Sequence, residues 1–181
     1  QIVETDEAAD PGERPELLLT SGVTERHPFM QITGKATWMR SAIFYESAMA
    51  LLREYAQLTI DLRDCELLDS TFLGTIHELV IQGTSSDVPG EESDAKHAST
   101  AVSNVQLQRV PQKIINLFDE LSMRSVIASA NTNVMPLPAR MEPLTRSVSE
   151  EDNNRRLLKA HEVLASLSDE NERQFKSVVA A

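Results

Sequence analysis

The spacing of apolar residues changes along the first half of the chain, and each change marks a new predicted element. Phe29, Met30 and Ile32 predict a strand that ends at Gly34. Residues 41–56 are predicted to form an amphipathic helix, because their apolar residues recur at helical spacing. These residues are Phe44, Ala48, Leu51, Leu52 and Tyr55.

A second strand is predicted directly after that helix. Leu58, Ile60 and Leu62 alternate with polar residues, which is the pattern of a half-buried strand. Strand, helix and strand in this order form a crossover unit. We therefore expect the strands around Ile32 and Ile60 to be parallel, with the helix packed on the sheet.

The chain then passes from strand to helix within a few residues. Leu67 and Leu68 continue the apolar character up to Asp69, and the residues that follow recur at helical spacing. The helical residues are Leu73, Ile76, Leu79 and Val80. Ser70 stands directly before them, and its hydroxyl is predicted to cap the free backbone amides of the first turn.

Residues 58–75, which read LTIDLRDCELLDSTFLGT, resemble the signature of the STAS domain family of anti-sigma-factor antagonists. The family pattern is roughly D-L-x-x-C/V-x-x-(I/L)-D-S-(S/T)-G-L-G at a strand-to-helix turn. The Asp-Ser-Thr run, Leu73 and Gly74 match it. Phe72 stands where many relatives have glycine, so we expect a bulkier loop surface beside the serine. By the order of elements, the resemblance extends over about residues 28–130.

The resemblance implies both a fold and a function. The fold is α/β, a STAS-like mixed β-sheet with helices packed mainly on one face, here with a C-terminal helical extension. The serine after the aspartate is the phosphorylation site, which is Ser70 in this chain. The implied partner-binding residues are Asp69, Ser70, Thr71, Phe72 and Leu73.

The implied partners belong to a partner-switching pathway that regulates bacterial transcription. The unphosphorylated protein binds an anti-sigma factor or a related serine kinase. Phosphorylation of Ser70 by that kinase releases it, and a PP2C-type phosphatase resets the switch. The alternative role is a non-catalytic STAS subunit or scaffold of a larger signalling or membrane-transport assembly without a phosphorylation cycle.

Physical chemistry makes Ser70 a reasonable place for such a switch. A helix N-terminus tolerates an anion, so the phosphorylated domain is expected to stay folded. A partner docked over Ser70 and Asp69 would meet a second negative group, which opposes binding. Asp, Ser and Thr before an apolar helix are also ordinary capping residues, so a purely structural role for Ser70 and Thr71 is the alternative.

Residues that could carry catalysis are scarce. The four histidines are widely separated, and their spacing indicates no metal site. His77 lies on the predicted Ser70 helix but points away from its start, so it is not expected to pair with the serine. No glycine-rich phosphate loop is present. We predict no catalytic residues, no cofactor and no metal, and rank a small hydrolase below both binding roles.

The remaining segments divide into an acidic start, an insertion and a second α/β stretch. Residues 1–27 are acidic and predicted to be largely flexible, although Leu17 to Leu19 allow a further strand, and residues 84–103 are predicted to be a flexible insertion. Further elements are predicted at three places. They are a strand at Val105, Leu107 and Val110, a helix opened by Pro111 with Ile114, Leu117, Phe118 and Leu121 on one face, and a last strand over Ser125 to Ala128.

The C-terminal part is predicted to be a linker followed by a helical hairpin. Residues 131–148 contain three prolines and are the candidate linker. Residues 149–181 form the hairpin, with helices starting at Ser149 and Ser168. We expect its apolar face to pack on the core, because exposed apolar helices are costly. The alternative is that this face meets a partner or a second copy in a homo-oligomer.

Composition narrows the classes of partner. The formal net charge of -11 argues against a nucleic-acid or anionic-membrane surface and favours a protein partner with a basic face. The single cysteine, Cys65, cannot form an internal disulfide, and the start lacks the pattern of a signal peptide. No apolar run reaches transmembrane length, so no direct membrane insertion is expected. These features together favour a cytoplasmic protein.

Overall fold

The described part of the chain is built on an open mixed β-sheet with helices packed against it. A computed structural model describes residues 16–82, 103–128 and 130–180. Its strands are β1 (Leu17–Thr24), β2 (His27–Ala36), β3 (Leu58–Asp61), β4 (Cys65–Leu68), β5 (Val105–Gln108) and β6 (Glu142–Pro143). Its helices are α1 (Ser41–Tyr55), α2 (Ser70–Gln82), α3 (Gln112–Glu120), α4 (Arg124–Ile127), α5 (Glu150–Ala165) and α6 (Asp169–Val179), with a short 3-10 helix at Trp38–Arg40. The predicted mixed α/β class is confirmed.

The sheet begins earlier in the chain than the sequence predicted. β1 pairs with β2 as an antiparallel hairpin along its whole length, from Leu17 opposite Gly34 to Thr24 opposite His27. Leu17–Thr24 is therefore part of the sheet, although the sequence analysis grouped these residues with the segment before residue 28. The flexibility predicted for the N-terminal segment and for the insertion at 84–103 concerns residues that mostly lie outside the described ones.

Two crossovers place α1 and α2 on the same side of the sheet. The strand order is β5-β3-β2-β1-β6, and both the β2–β3 and β3–β5 pairs are parallel. The predicted parallel pairing is thus confirmed, with Met30 opposite Ile60. Because both crossovers run in the same direction across the sheet, right-handed connections put both helices on one face. Contact between α1 and α2 agrees with this placement.

The core lies between that face of the sheet and the helices. β4 adds to it by pairing with the end of β2, where Ala36 lies opposite Leu68. The largest fully buried side chains come from the strands and from α1, α2 and α3. They include Met30, Ile32, Leu58 and Ile60 from the sheet and Phe44, Phe72, Ile76, Leu79 and Phe118 from the helices.

Two predictions for the second half need correction. Ser125 to Ala128 is not a strand, because the segment closes a helical turn in which Val126 N donates to Met123 O, and α4 forms instead. The apolar residues Val126, Ile127 and Ala128 are consecutive and do not alternate with polar ones, so they carry no strand period. The predicted linker, residues 131–148, contains β6, which pairs with Thr20 and Ser21 of β1.

The C-terminal hairpin packs on the core, as its apolar pattern predicted. Ser149 and Asp152 form a reciprocal capping box at the start of α5, and the Ser168 side chain caps α6. Leu164 of α5 and Phe175 of α6 join the hydrophobic core. No helix within the described residues is long and apolar enough to cross a bilayer.

Candidate functional site

The strand-to-helix turn that carries Ser70 is held in place by β2 and by the 3-10 helix. β4 ends at Leu68, and the backbone N–H of Asp69 donates to Ala36 O at 3.0 Å. α2 begins at the next residue, Ser70. The motif therefore lies at the junction of a sheet strand and a largely buried helix.

Asp69, rather than Ser70, caps α2. Its Oδ1 accepts a hydrogen bond from Phe72 N at 2.9 Å, and its Oδ2 accepts one from Trp38 N at 2.6 Å. One carboxylate thus satisfies a free amide of α2 and an amide of the preceding 3-10 helix. The N-cap predicted at Ser70 is wrong by one residue, because a carboxylate can accept from both segments and a single hydroxyl is occupied elsewhere.

Burial raises the pKa of the Asp69 carboxyl above its ordinary value, although the backbone N–H groups that bond it act in the opposite direction. Asp69 is therefore a half-buried carboxylate that tolerates further negative charge poorly. An anionic group added to Ser70 would lie on the residue next to Asp69 and would repel its carboxylate.

The Ser70 hydroxyl is bonded to a histidine 91 positions away in the chain. Ser70 Oγ lies 2.8 Å from His161 Nε2 on α5. His161 Nδ1 lies 2.9 Å from Leu157 O, which can only accept, so in the neutral ring Nδ1 carries the proton. Nε2 is then the acceptor, and the Ser70 hydroxyl donates to it. His161 is itself buried and its ring packs against Phe175, with centroids 5.2 Å apart.

Three of the predicted partner-binding side chains are buried in this structure. Thr71, Phe72 and Leu73 are 2%, 0% and 3% exposed. Phe72 packs against Phe44, with ring centroids 5.4 Å apart, so it fills the core instead of enlarging the loop surface as the sequence suggested. Only Asp69 and Ser70 of the predicted set are partly exposed.

The C-terminal hairpin covers the side of α2 that bears Ser70. We define this side, formed by Ser70, Gly74 and Glu78, as the Ser70 face. A Cβ atom added at Gly74 would lie 2.6 Å from Ala160 O, so the two helices approach closely there. Glu78 forms a buried ion pair with Arg156. The Ser70 face is therefore a contact surface for α5.

Tyr45 of α1 completes the polar cluster around Glu78. The Arg156 guanidinium lies 4.3 Å from the Tyr45 ring centroid, and Tyr45 Oη donates to Glu78 Oε1 at 3.2 Å. Burial and the nearby Glu78 carboxylate raise the pKa of Tyr45, which keeps its hydroxyl protonated as a donor. α1, α2 and α5 thus meet in one charged cluster.

The Ser70–His161 pair has the contact distance of a nucleophile and its base. The sequence analysis considered only His77 for this role and missed His161. The position of His161 on the apolar side of α5 was the one indication in the sequence that this histidine would be buried. A groove of about 380 Å³ beside the helix contact is lined by residues that include Tyr45, Glu78 and Arg156, and neither Ser70 nor His161 lines it. The pair as it stands is a hydrogen bond between two packed helices.

A metal site finds no support in the described residues, which contain no group of three or more His, Cys, Asp or Glu side chains close enough to bind an ion. The other buried acidic group, Asp61 at the end of β3, accepts hydrogen bonds from Gln108 Nε2 and Arg109 Nε, each at 2.6 Å. Asp61 Oδ2 therefore joins β3 to Gln108 of β5 and to the adjoining Arg109, and its Oδ1 accepts from Arg63 N at 3.1 Å.

Comparison with known proteins gives no assignment: neither any protein-family model nor any curated protein matches the chain.

Proposed function

We propose that this chain is a STAS-type anti-sigma-factor antagonist. It binds an anti-sigma factor or a related serine kinase when unphosphorylated and is released when Ser70 is phosphorylated; a PP2C-type phosphatase removes the phosphate. The observation that carries this proposal is the position of Ser70, at the first residue of α2 and directly after the capping Asp69.

The contacts around Ser70 would all change with a phosphate there. The phosphate removes the proton that the hydroxyl donates to His161 Nε2. It also places negative charge beside Asp69, whose carboxylate is already disfavoured by burial. The free amides at the start of α2 favour the anion, so the charge alters the local surface without unfolding the helix.

The acidic character of the chain supports a basic protein partner. Opposite charge speeds association with such a partner. The phosphate opposes binding at the contact itself, because a docked partner would have to desolvate a second anion directly beside Asp69. The proposed role is regulatory and non-enzymatic, in the bacterial cytoplasm.

Ser70 phosphorylation is tested on protein purified from its native host with phosphatase inhibitors. We expect intact mass and peptide mapping to find one phosphate on the peptide that contains Ser70, and none on the same peptide from Ser70→Ala. Ser70→Asp is expected to lose binding to the anti-sigma factor or kinase. Ser147→Asp, at an exposed position on the predicted linker, is the control and should keep it. An unmodified Ser70 under several growth conditions, with binding unchanged in Ser70→Asp, would refute the switch.

The scaffold role is the second candidate, and the burial of Thr71, Phe72 and Leu73 favours it. A scaffold that uses another surface has no need of an accessible Ser70. Ser70→Asp and Ser70→Ala would then bind the assembly equally well, which separates this role from the switch.

A further inference from the structure

The Ser70 face of α2 is occupied by a helix that runs antiparallel to it. Glu78, Gly74 and Ser70 of α2 meet Arg156, Ala160 and His161 of α5 in reverse order along the chain. Each contact has a different chemistry: an ion pair, a close backbone approach and a hydrogen bond. The surface therefore selects a helix by charge, size and polarity together.

Glu78 and Gly74 set the strictest requirements for whatever covers this face. The Glu78 carboxylate is buried, so a covering helix must bring a cation to it or leave a buried charge unpaired. Gly74 leaves no room for a bulky residue, because the backbone of Ala160 already lies against it. The fitting pattern is a basic residue and, one helical turn later, a small residue.

The contact between α2 and α5 contains charged groups as well as the buried apolar residues Ala160 and Leu164. Its central ion pair is buried, and Arg156 Nε has no hydrogen-bond partner. A buried donor left unpaired weakens a contact that an apolar pair would hold more tightly. By contrast, α1 and α2 meet the sheet through apolar side chains such as Phe44 and Ile76.

The hairpin α5–α6 is connected to the rest of the fold in a way that allows it to separate from α2. α1 and α2 each lie between sheet strands in the order of the chain, so both belong to connections within the sheet. α5 and α6 follow β6, which pairs with β1 over two residues only, and α6 is the last described element. The hairpin can therefore separate from α2 by local opening while the sheet stays intact.

We propose that the Ser70 face is a helix-docking surface from which the hairpin α5–α6 is displaced by the partner. The proposal rests on the proposed function, and it adds the chemistry of the partner. That partner contributes a helix antiparallel to α2, with a basic residue over Glu78 and a small residue over Gly74. α5 is the intramolecular substitute for this helix and keeps Ser70 bonded to His161 until the partner arrives.

The test uses the full chain and a fluorescent synthetic peptide of residues 149–180 as the probe. In the wild-type chain the tethered hairpin competes at high effective concentration, so the peptide binds weakly. Arg156→Glu in the full chain breaks its own ion pair with Glu78 and frees the face. We expect this variant to bind the peptide at least about 10-fold more tightly than the wild type does.

Arg155→Glu in the full chain is the matched control. It makes the same charge change one residue away, but Arg155 is 68% exposed and Arg156 is 7% exposed. We expect Arg155→Glu to bind the peptide as the wild type does. A peptide carrying Arg156→Glu should bind none of the three chains tightly. Equal binding of the unchanged peptide to all three chains would overturn the proposal.

If Arg156→Glu fails to fold, hydrogen exchange of the wild-type chain tests whether the hairpin can separate from the sheet. We expect amides of α5 and α6 to exchange at least about 10-fold faster than those of β2 and β3, through an opening that leaves the sheet protected. Equal protection would make the hairpin an integral part of the core and overturn the proposal. A phosphate on Ser70 in host-purified protein, found together with equal protection, would leave the proposed function standing and remove only the displaceable hairpin.

Discussion

Cys65 shows how burial controls the chemistry of a single residue. The thiol lies at the start of β4, is 2% exposed, and burial raises its pKa to about 11. The thiolate is the reacting species, so we expect iodoacetamide to alkylate Cys65 at pH 8 at least about 10-fold more slowly than a free thiol. Intact mass against time measures this rate.

The unfolded chain provides the control for that measurement. Cys65 is the only cysteine in the sequence, so the mass reports one site. In concentrated guanidinium chloride the alkylation rate should reach that of glutathione. An equally fast reaction of the folded protein would mean that the thiol is accessible and would contradict the buried position of Cys65.

The individual contacts around Ser70 could not be predicted from the sequence. The pattern located the strand-to-helix turn, but it assigned the cap to Ser70 because nothing local shows that Trp38 N needs the same carboxylate as Phe72 N. The bond from Ser70 to His161 joins two segments that only the packing of the hairpin brings together. Capping and pairing across such distances depend on tertiary structure, which periodicity does not encode.

The starts of α5 and α6 lie where the sequence predicted them, and α5 allows a direct test. Ser149 Oγ accepts from Asp152 N at 3.0 Å and donates to Asp152 Oδ2 at 2.6 Å. We expect Ser149→Ala to lower the free energy of unfolding by about 1 kcal/mol. Urea denaturation followed by circular dichroism measures the change, and Ser147→Ala, outside the cap, should change it little.

The same cap makes a prediction about pH. The bonds from Ser149 lower the pKa of Asp152, so the folded state favours the charged carboxylate. Stability from this group is present above the ordinary aspartate pKa and is lost as pH falls through the lowered one. The difference in the free energy of unfolding between wild type and Ser149→Ala should therefore become smaller in acid. If that difference stayed constant or became larger in acid, the stabilisation by Ser149 would not depend on the charge of Asp152.

Element boundaries were predictable where apolar spacing is strong and failed where it is short. The helices at α1, α2 and α3 and the parallel pair β2–β3 follow from their patterns. β1 was only partly recognised, because its stability comes from pairing with β2 along its length and not from its own alternation. α4 was predicted as a strand, and β6 was not predicted, since a two-residue strand has no pattern of its own.

At the scale of the whole molecule, the sheet and the hairpin contribute differently to the fold. The parallel pairing of β2 with β3 follows from the strand-helix-strand order of the sequence, whereas the place of β5 beside β3 is known from the structure alone. The hairpin was predicted to pack on the core, but not where. Its placement over the Ser70 face depends on Gly74, Glu78 and Arg156, whose pairing no local pattern reveals. The role proposed for Ser70 therefore depends on α5, which lies outside the motif at residues 58–75.

The net charge makes a prediction for the molecule as a whole. With 28 acidic and 17 Lys or Arg residues, the chain repels itself at neutral pH. Salt screens interactions between exposed charges, so raising NaCl from about 10 mM to about 200 mM should increase the free energy of unfolding. We expect a gain of about 0.5–1 kcal/mol, the size that exposed charge interactions usually reach. Urea denaturation is the measurement, because guanidinium chloride is itself a salt.

The two kinds of ion pair in the structure determine how that result is interpreted. Exposed pairs such as Arg155 with Glu151 weaken in salt and oppose the gain, whereas the buried pair of Arg156 and Glu78 is screened little. Repeating the series with KCl separates screening from effects of a particular cation. If stability fell in both salts, the exposed pairs would outweigh the self-repulsion of the chain. The exposed charges would then form a stabilising network, and they would be less free to attract a basic partner.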